Sequence, residues 1–277
     1  MIERAQAAHG AGFAALTLGD HHDMAVPYAQ NTPMLGRLLA DWPDRPAGCL
    51  FLVPLWHPLL MAEQIGTLAA THRISAPGSD FVVQTGIGWG REQFVNLNAD
   101  MTTRGRYIDE AIPVIKRLLA GEKVDSEYFG MVGAQVGLLP DFVAGGGFDW
   151  WIGGSANAAI DRAARLGDCF YVGPSASEEW LATAIERYRA AGGTWVALRQ
   201  DALVGSDGAT ARAHAETLVA RGYRGMRTDQ LMIGSPTDVA ERATRFARLG
   251  VDEIVVRCAS SVQTQALETL TSIGTLL

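Results

Sequence analysis

From one end of the chain to the other, short strand-like apolar runs alternate with longer segments whose apolar residues recur at three-and-four spacing. That alternation most restricts the fold, because parallel strands cannot be joined by tight turns and need helical crossovers between them. Strand-like runs lie at AALTLG (14–19), CLFLVP (49–54), FVVQTG (81–86), DWWIGG (149–154), CFYVG (169–173), WVALRQDALVG (195–205) and EIVVRC (253–258). The helical patterns between them include HPLLMAEQIGTLAATH, TRGRYIDEAIPVIKRLLAGE, SANAAIDRAARLG, SEEWLATAIERYRAAGG, DGATARAHAETLVARG and SPTDVAERATRFARLG. Gly121, Gly167, Gly222 and Gly250 mark where several of them stop.

Two arrangements satisfy such a rhythm, an open doubly wound sheet and a closed barrel. A dinucleotide-binding open sheet carries its glycine fingerprint at the first strand-to-helix turn, with an acid further on. Here that turn reads GDHHDMAVPY, without those glycines. Unusual residues instead recur after successive strands: Asp20-His21-His22, Trp56-His57-Pro58, Gly88-Trp89-Gly90 and Gly153-Gly154-Ser155. Chemistry gathered at many strand ends is the habit of an α/β barrel of the TIM type. Residues 20–46 and 122–148 break the rhythm and are expected to be functional loops. No repeat, heptad or obvious linker divides the chain, so residues 1–277 are expected to form a single domain.

Bulk properties narrow the function. A hydrophobic content of 48% against 19% charged residues provides for a large core. The net charge of −7 argues against nucleic acid as a partner, although a local basic pocket for one phosphate is compatible with it. The longest greasy stretch, GCLFLVPLWHPLLM, holds two prolines and a histidine and is too short for a membrane span. The charged start, MIERAQ, does not resemble an export signal, so a soluble cytoplasmic protein is expected. Cys49, Cys169 and Cys258 are scattered and read as reduced residues, and no metal site is expected.

Three strand ends offer chemistry. At Asp20-His21-His22, a histidine can exchange protons near neutral pH, and His21 is the preferred candidate over His22, with Asp20 beside it; the alternative is that Asp20 caps a loop and the histidines pack. The spaced glycines of TGIGWGREQF allow a flat or charged ligand to approach the backbone near Gly88 and Trp89, or the tryptophan merely shields the barrel mouth. In WWIGGSANAAIDRAARLG, a strand runs through Gly153 and Gly154 into a helix that Ser155 or Asn157 can cap. Exposed N–H groups at a helix start, together with glycines, suit a phosphate, and phosphate is the preferred occupant over an ordinary capped turn.

Taken in order, these motifs resemble the bacterial luciferase-like flavin-dependent oxidoreductases. AAHGAGFAALTLGDHH resembles that family's opening helix and Asp-His strand end, LWHPLLMAEQIGTLAATH its His-Pro helix, and TGIGWGREQF with RYIDEAIPVIKRLLAGE its Gly-x-Gly-Trp turn and following helix. WIGGSANAAIDRAARLGD resembles its Gly-Gly phosphate turn, and GSPTDVAERATRFARLGVDEIVVR its final helix and strand. Two departures stand out: THRISAPGSD replaces a Ser-Gly-Gly-Arg turn, and the family's first strand is missing.

The resemblance implies a (β/α)8 barrel lacking its first strand, with a cofactor at the carboxyl end of the strands. Gly153, Gly154 and Ser155 would hold its phosphate, Leu52, Val53 and Pro54 would back its ring system, and Gly88 and Trp89 would line its flank. His21 matches the strand-end histidine that acts beside the ring in deazaflavin-using members. The implied activity is a monooxygenase using reduced FMN and oxygen on a small organic substrate. The alternatives are a dehydrogenase or reductase using the deazaflavin coenzyme F420, and a flavin-binding barrel without catalysis. A homodimer and a flavin reductase supplying reduced cofactor are the implied partners.

Overall fold

The computed structural model describes residues 1–137 and 146–277, so part of the irregular segment 122–148 lies outside the described residues. In chain order the main elements are helix α1 (Ile2–Gly10), strand β1 (Leu16–Leu18), helix α2 (Asn31–Leu38), strand β2 (Ala47–Leu52), helix α3 (Pro58–Ser75) and strand β3 (Phe81–Gly86). Helix α4 (Arg91–Asn96), helix α5 (Arg104–Leu119), strand β4 (Val124–Ser126), strand β5 (Met131–Ala134), strand β6 (Phe148–Gly153), helix α6 (Asn157–Leu166) and strand β7 (Cys169–Val172) follow. The remainder is helix α7 (Glu178–Ala190), strand β8 (Trp195–Val204), helix α8 (Gly208–Ala220), strand β9 (Met232–Gly234), helix α9 (Pro236–Arg248), strand β10 (Glu253–Cys258) and helix α10 (Gln263–Gly274).

These residues cluster into two compact units. In the unit of residues 15–153 and 166–168, β1, β2, β3 and β6 lie side by side in that order, all parallel. Gly48 is the centre of this register, opposite Thr17 on one side and Val82 on the other. The β2 run AGCLFL is almost wholly buried, as expected of a parallel strand covered on both faces. Helix α5 turns Ile108, Ala111, Ile112, Ile115, Leu118 and Leu119 inward, the three-and-four pattern read in the sequence, and packs on α3. Pro58 stands at the first position of α3, where its missing N–H has no intrahelical partner, and the His57 ring accepts from the Leu59 N–H at 3.3 Å as its cap. The hairpin of β4 and β5, absent from the sequence expectation, occupies part of the second irregular segment.

In the unit of residues 1–14, 154–165 and 169–277, β7, β8 and β10 are parallel neighbours, and β9 adds to the far end of β8. Helix α7 shows why the helical pattern was legible. Ser177 caps it, Glu178 and Glu179 occupy its first turn, Arg187 and Arg189 its last, and Leu181, Ala184, Ile185 and Tyr188 its buried face. Beyond α8 and α9, Gly222 and Gly250 take φ of 83° and 97°, conformations that close a helix and that side chains disfavour. Helix α1 packs against α10, and the Arg4 Nε donates to Gln263 at 2.9 Å.

All seven expected strands form, with ends shifted by at most two residues, and β4, β5 and β9 are additions. No strand precedes α1 among the described residues. Among the described residues Cys49, Cys169 and Cys258 form no disulfide. No helix among the described residues is long and apolar enough to cross a membrane.

The Gly48 register generates a prediction. A Cβ at this position would overlap the carbonyl of Val82, a backbone group that cannot move without breaking the ladder. Gly48→Ala is expected to destabilise the protein by about 3 kcal/mol, the upper end of overpacking costs, in urea unfolding followed by circular dichroism. A loss below about 1 kcal/mol, the low end of that range, would show that the β2–β3 pairing relaxes at that point.

Candidate functional site

In the unit of residues 15–153 and 166–168, the site is organised by a carboxylate that has left solvent. The side chain of Asp20, just after β1, is 0% exposed. Its Oδ2 accepts two hydrogen bonds of 2.8 Å, one from the Leu52 backbone N–H at the end of β2 and one from the Trp56 indole Nε1–H. The other oxygen, Oδ1, lies 3.3 Å from His22 Nε2. Burying a carboxylate is costly unless donors replace its water; two N–H groups do so at Oδ2, while Oδ1 and His22 Nε2 make no hydrogen bond in spite of their proximity. Asp20 is thus a brace that joins the carboxyl ends of β1 and β2.

The two histidines are held differently. His21 Nδ1 lies 2.8 Å from the His22 carbonyl oxygen. A carbonyl only accepts, so Nδ1 carries the proton, and in neutral His21 the lone pair sits on Nε2. The Gln30 amide donates to the His21 carbonyl at 3.3 Å, and the Tyr28 ring stands edge-on to the imidazole at 6.2 Å between centroids. His22 instead turns toward Asp20, with its ring 5.7 Å from that of Trp56. Sequence reasoning weighed both histidines but gave Trp56 no role. Its place two residues before Pro58, on the turn leaving β2, was the available signal.

Leu52, Val53 and Pro54 form the turn that Asp20 holds. Their side chains are buried, so they serve the core and the turn's main chain is what Asp20 fixes. Below Trp56 a second layer follows. The Tyr107 hydroxyl donates to the Trp56 carbonyl at 2.8 Å, and burial pushes its own pKa up to about 12, so it stays a donor. The Phe129 ring lies 5.0 Å from that of Tyr107, and Tyr128 4.8 Å from Phe129, which brings the hairpin tip against α5. Trp42 is a core residue, fully buried, and donates from its indole to the Pro46 carbonyl at 3.0 Å.

At the turn after β3, Gly88 and Gly90 take φ of 69° and 90°. Trp89 between them is 72% exposed, and its carbonyl accepts from the Gln93 side chain. Arg104 faces, with Arg91, a concavity between α4 and the start of α5, whereas Arg106 lies over the Tyr128 ring at 5.0 Å and 4.0 Å from Glu110.

Gly153 closes β6 in a buried position. In the other unit, Gly154 has φ of 153°, and a Cβ there would overlap the Ala159 methyl, so the close approach of strand end and helix demands glycine. Ser155, Ala156, Asn157 and Ala158 are all exposed, and no side chain plugs the start of α6. The Ala159 N–H is taken by the Ala156 carbonyl at 2.8 Å, and the N–H groups before it have no intrahelical acceptor, so this corner presents donors outward. Among the described residues no group of three or more His, Cys, Asp or Glu side chains could hold a metal.

The Asp20 brace predicts an order of stabilities. Asp20→Ala leaves the Leu52 and Trp56 donors buried and unpaired and is expected to cost about 3 kcal/mol, at 1–3 kcal/mol per orphaned donor. Asp20→Asn keeps an acceptor oxygen and is expected to cost less. Equal unfolding midpoints for the wild type and Asp20→Ala would show that water replaces the carboxylate.

No curated protein matches the chain. Among solved structures, the monooxygenase RslO1 from Streptomyces bottropensis is similar with a TM-score of 0.78 at 18% identity, covering 100% of this chain and 92% of that one. The coenzyme F420-dependent tetrahydromethanopterin reductase from Methanopyrus kandleri is similar at 0.72 and 14% identity, over 98% and 92% of the two chains. An F420-dependent secondary alcohol dehydrogenase, solved with an F420-acetone adduct, is similar at 0.74 and 17% identity, again over 98% and 92%. These likenesses give the fold class, α/β of the TIM-barrel type. The model of the luciferase-like monooxygenases matches residues 1–225, most of the chain, and with the strand-end motifs in their expected order this chain belongs to that family.

Proposed function

We propose that the chain is a flavin-dependent oxidoreductase of the monooxygenase type, acting with reduced FMN and oxygen on a small organic substrate. The observation that carries this reading is the glycine turn at Gly153-Gly154-Ser155, side-chain-free where the helix presents its first N–H groups. A dianionic phosphate suits such a corner through backbone donors and the helix dipole. When bound, FMN supplies the electrons and the oxygen chemistry. The chain's own residues do the rest. The main chain of the Leu52-Val53-Pro54 turn, held by Asp20 at Leu52, backs the ring system, with Gly88 and Trp89 at its flank.

His21 is the residue proposed to hold and move a proton. Its Nδ1–H is committed to the His22 carbonyl, which orients the ring and leaves Nε2 as the working atom. Asp20 acts as a positioning residue on this reading, because its oxygens face protein donors. The solved relatives named for F420 support a second reading, in which the same turn holds a deazaflavin phosphate and His21 serves a dehydrogenase or reductase. On this reading the protein acts as a cytoplasmic homodimer that draws reduced FMN from a separate flavin reductase.

Purified protein is to be titrated with FMN and with F420, followed by fluorescence. Turnover is then measured with the accepted cofactor on a panel of small aldehydes, ketones and alcohols. His21→Ala is expected to lower kcat by about 10²–10⁴-fold, the range for a lost general acid or base, and to remove one limb of the pH profile. Cofactor affinity is expected to stay within about threefold, since uniform binding is not His21's task. Binding of neither cofactor would overturn the proposal, and binding with turnover unchanged in His21→Ala would leave a flavin-binding barrel in which His21 does no chemistry.

A further inference from the structure

A cluster in the unit of residues 1–14, 154–165 and 169–277 is not absorbed by the flavin reading. Asp201, on β8, has a side chain that is 0% exposed, and three arginines converge on it. Arg199 Nε lies 3.1 Å from Oδ1, Arg224 Nε 3.5 Å from Oδ2 and Arg257 Nη1 4.0 Å from Oδ2. The Tyr223 hydroxyl donates to the same Oδ2 at 2.9 Å, and burial keeps its proton on by raising its pKa. The register explains the convergence. Arg257 of β10 is directly opposite Asp201, and Arg199, two residues earlier on β8, shares its face of the sheet.

One guanidinium suffices to neutralise one buried carboxylate. Three against one leaves an excess of two positive charges, held close together. The arginine side chains also reach solvent, at 20% exposed for Arg199, 37% for Arg224 and 44% for Arg257. Buried Arg199 Nε and Asp201 Oδ1 make no hydrogen bond in spite of their proximity. The backbone contributes as well. Arg224 has φ of 50° between Gly222 at 83° and Gly225 at 66°, so a residue with a full side chain is kept in the left-handed region. Such strain persists where the surroundings over-determine it, and here it delivers both Tyr223 and Arg224 to Asp201.

We propose that Arg199, Arg224 and Arg257 form an oxyanion-binding site, braced from inside by Asp201 and Tyr223, whose ligand is the carboxylate or phosphate group of a small organic molecule. Guanidinium forks match both groups, and an oxyanion supplies the counter-charge that Asp201 alone does not. The inference does not rest on the flavin reading, and its test needs no cofactor.

The full chain is titrated at constant ionic strength with sodium phosphate and, separately, with sodium succinate, against sodium chloride, by calorimetry and thermal unfolding. Wild-type protein is expected to show saturable binding and a raised Tm with at least one of the two anions and not with chloride, and the arm that saturates names the group. Arg257→Gln is expected to weaken that binding by about tenfold, the loss of one charge-assisted contact. Arg224→Gly removes a guanidinium while permitting φ of 50°, so it is expected to fold as well as the wild type and to bind as weakly as Arg257→Gln. No saturable binding of either anion, or binding equally strong in both variants, would overturn the proposal, because the arginines would then serve Asp201 alone or the anion would lie elsewhere.

Discussion

A single carboxylate, brought out of water at the end of β1, orders the strand-end chemistry of its unit. Asp20 Oδ2 takes the Leu52 N–H and the Trp56 indole N–H, and Oδ1 faces His22. None of these partners is adjacent to β1 except His22, so the chain must close on Asp20 before the strand ends are defined. The energy of such a site lies less in what the bonds add than in what their absence would cost, since a buried anion or buried donor without a partner is penalised heavily. The brace continues outward through Trp56, whose carbonyl accepts from Tyr107, to the aromatic tip of the β4–β5 hairpin. The element that sets the turn beside His21 is thus tied to that hairpin.

The two histidines show how neighbouring residues acquire different duties. His22 turns Nε2 toward Asp20 Oδ1 at 3.3 Å without a hydrogen bond, while His21 commits one ring nitrogen to a carbonyl and keeps the other. Composition and spacing treat them alike; only the direction in which each ring leaves the turn separates them.

Much of the architecture was legible because it repeats a local rule. The buried runs of β2 and β3, the capped helices α7 and α9, and the closing glycines Gly222 and Gly250 carry their signals within a few residues. Elements that were missed lack such signals. Helix α2, NTPMLGRL, contains Pro33 and Gly36, and β9 has three residues, too few for a period to show. The Gly154 turn was legible because a strand, two glycines and a helix are consecutive. Trp56 as a partner of Asp20, and the arginines around Asp201, were not. Their meaning comes from register and long-range closure, as when β10 sets Arg257 opposite Asp201, and no short window of sequence contains that information.

What the proposed function rests on most is that a cofactor phosphate is captured by main-chain donors at Gly154 and Ser155, where Ala159 leaves no room for a side chain on Gly154. Riboflavin and FMN differ only by that phosphate, so the most direct measurement is their affinities side by side under one buffer, with the deazaflavin coenzyme as a third ligand. Charge-assisted hydrogen bonds are worth about 1.5–3 kcal/mol each, so FMN is expected to bind at least about a hundredfold more tightly than riboflavin. Equal affinity for the two flavins, or binding of none of the three ligands, would contradict the account.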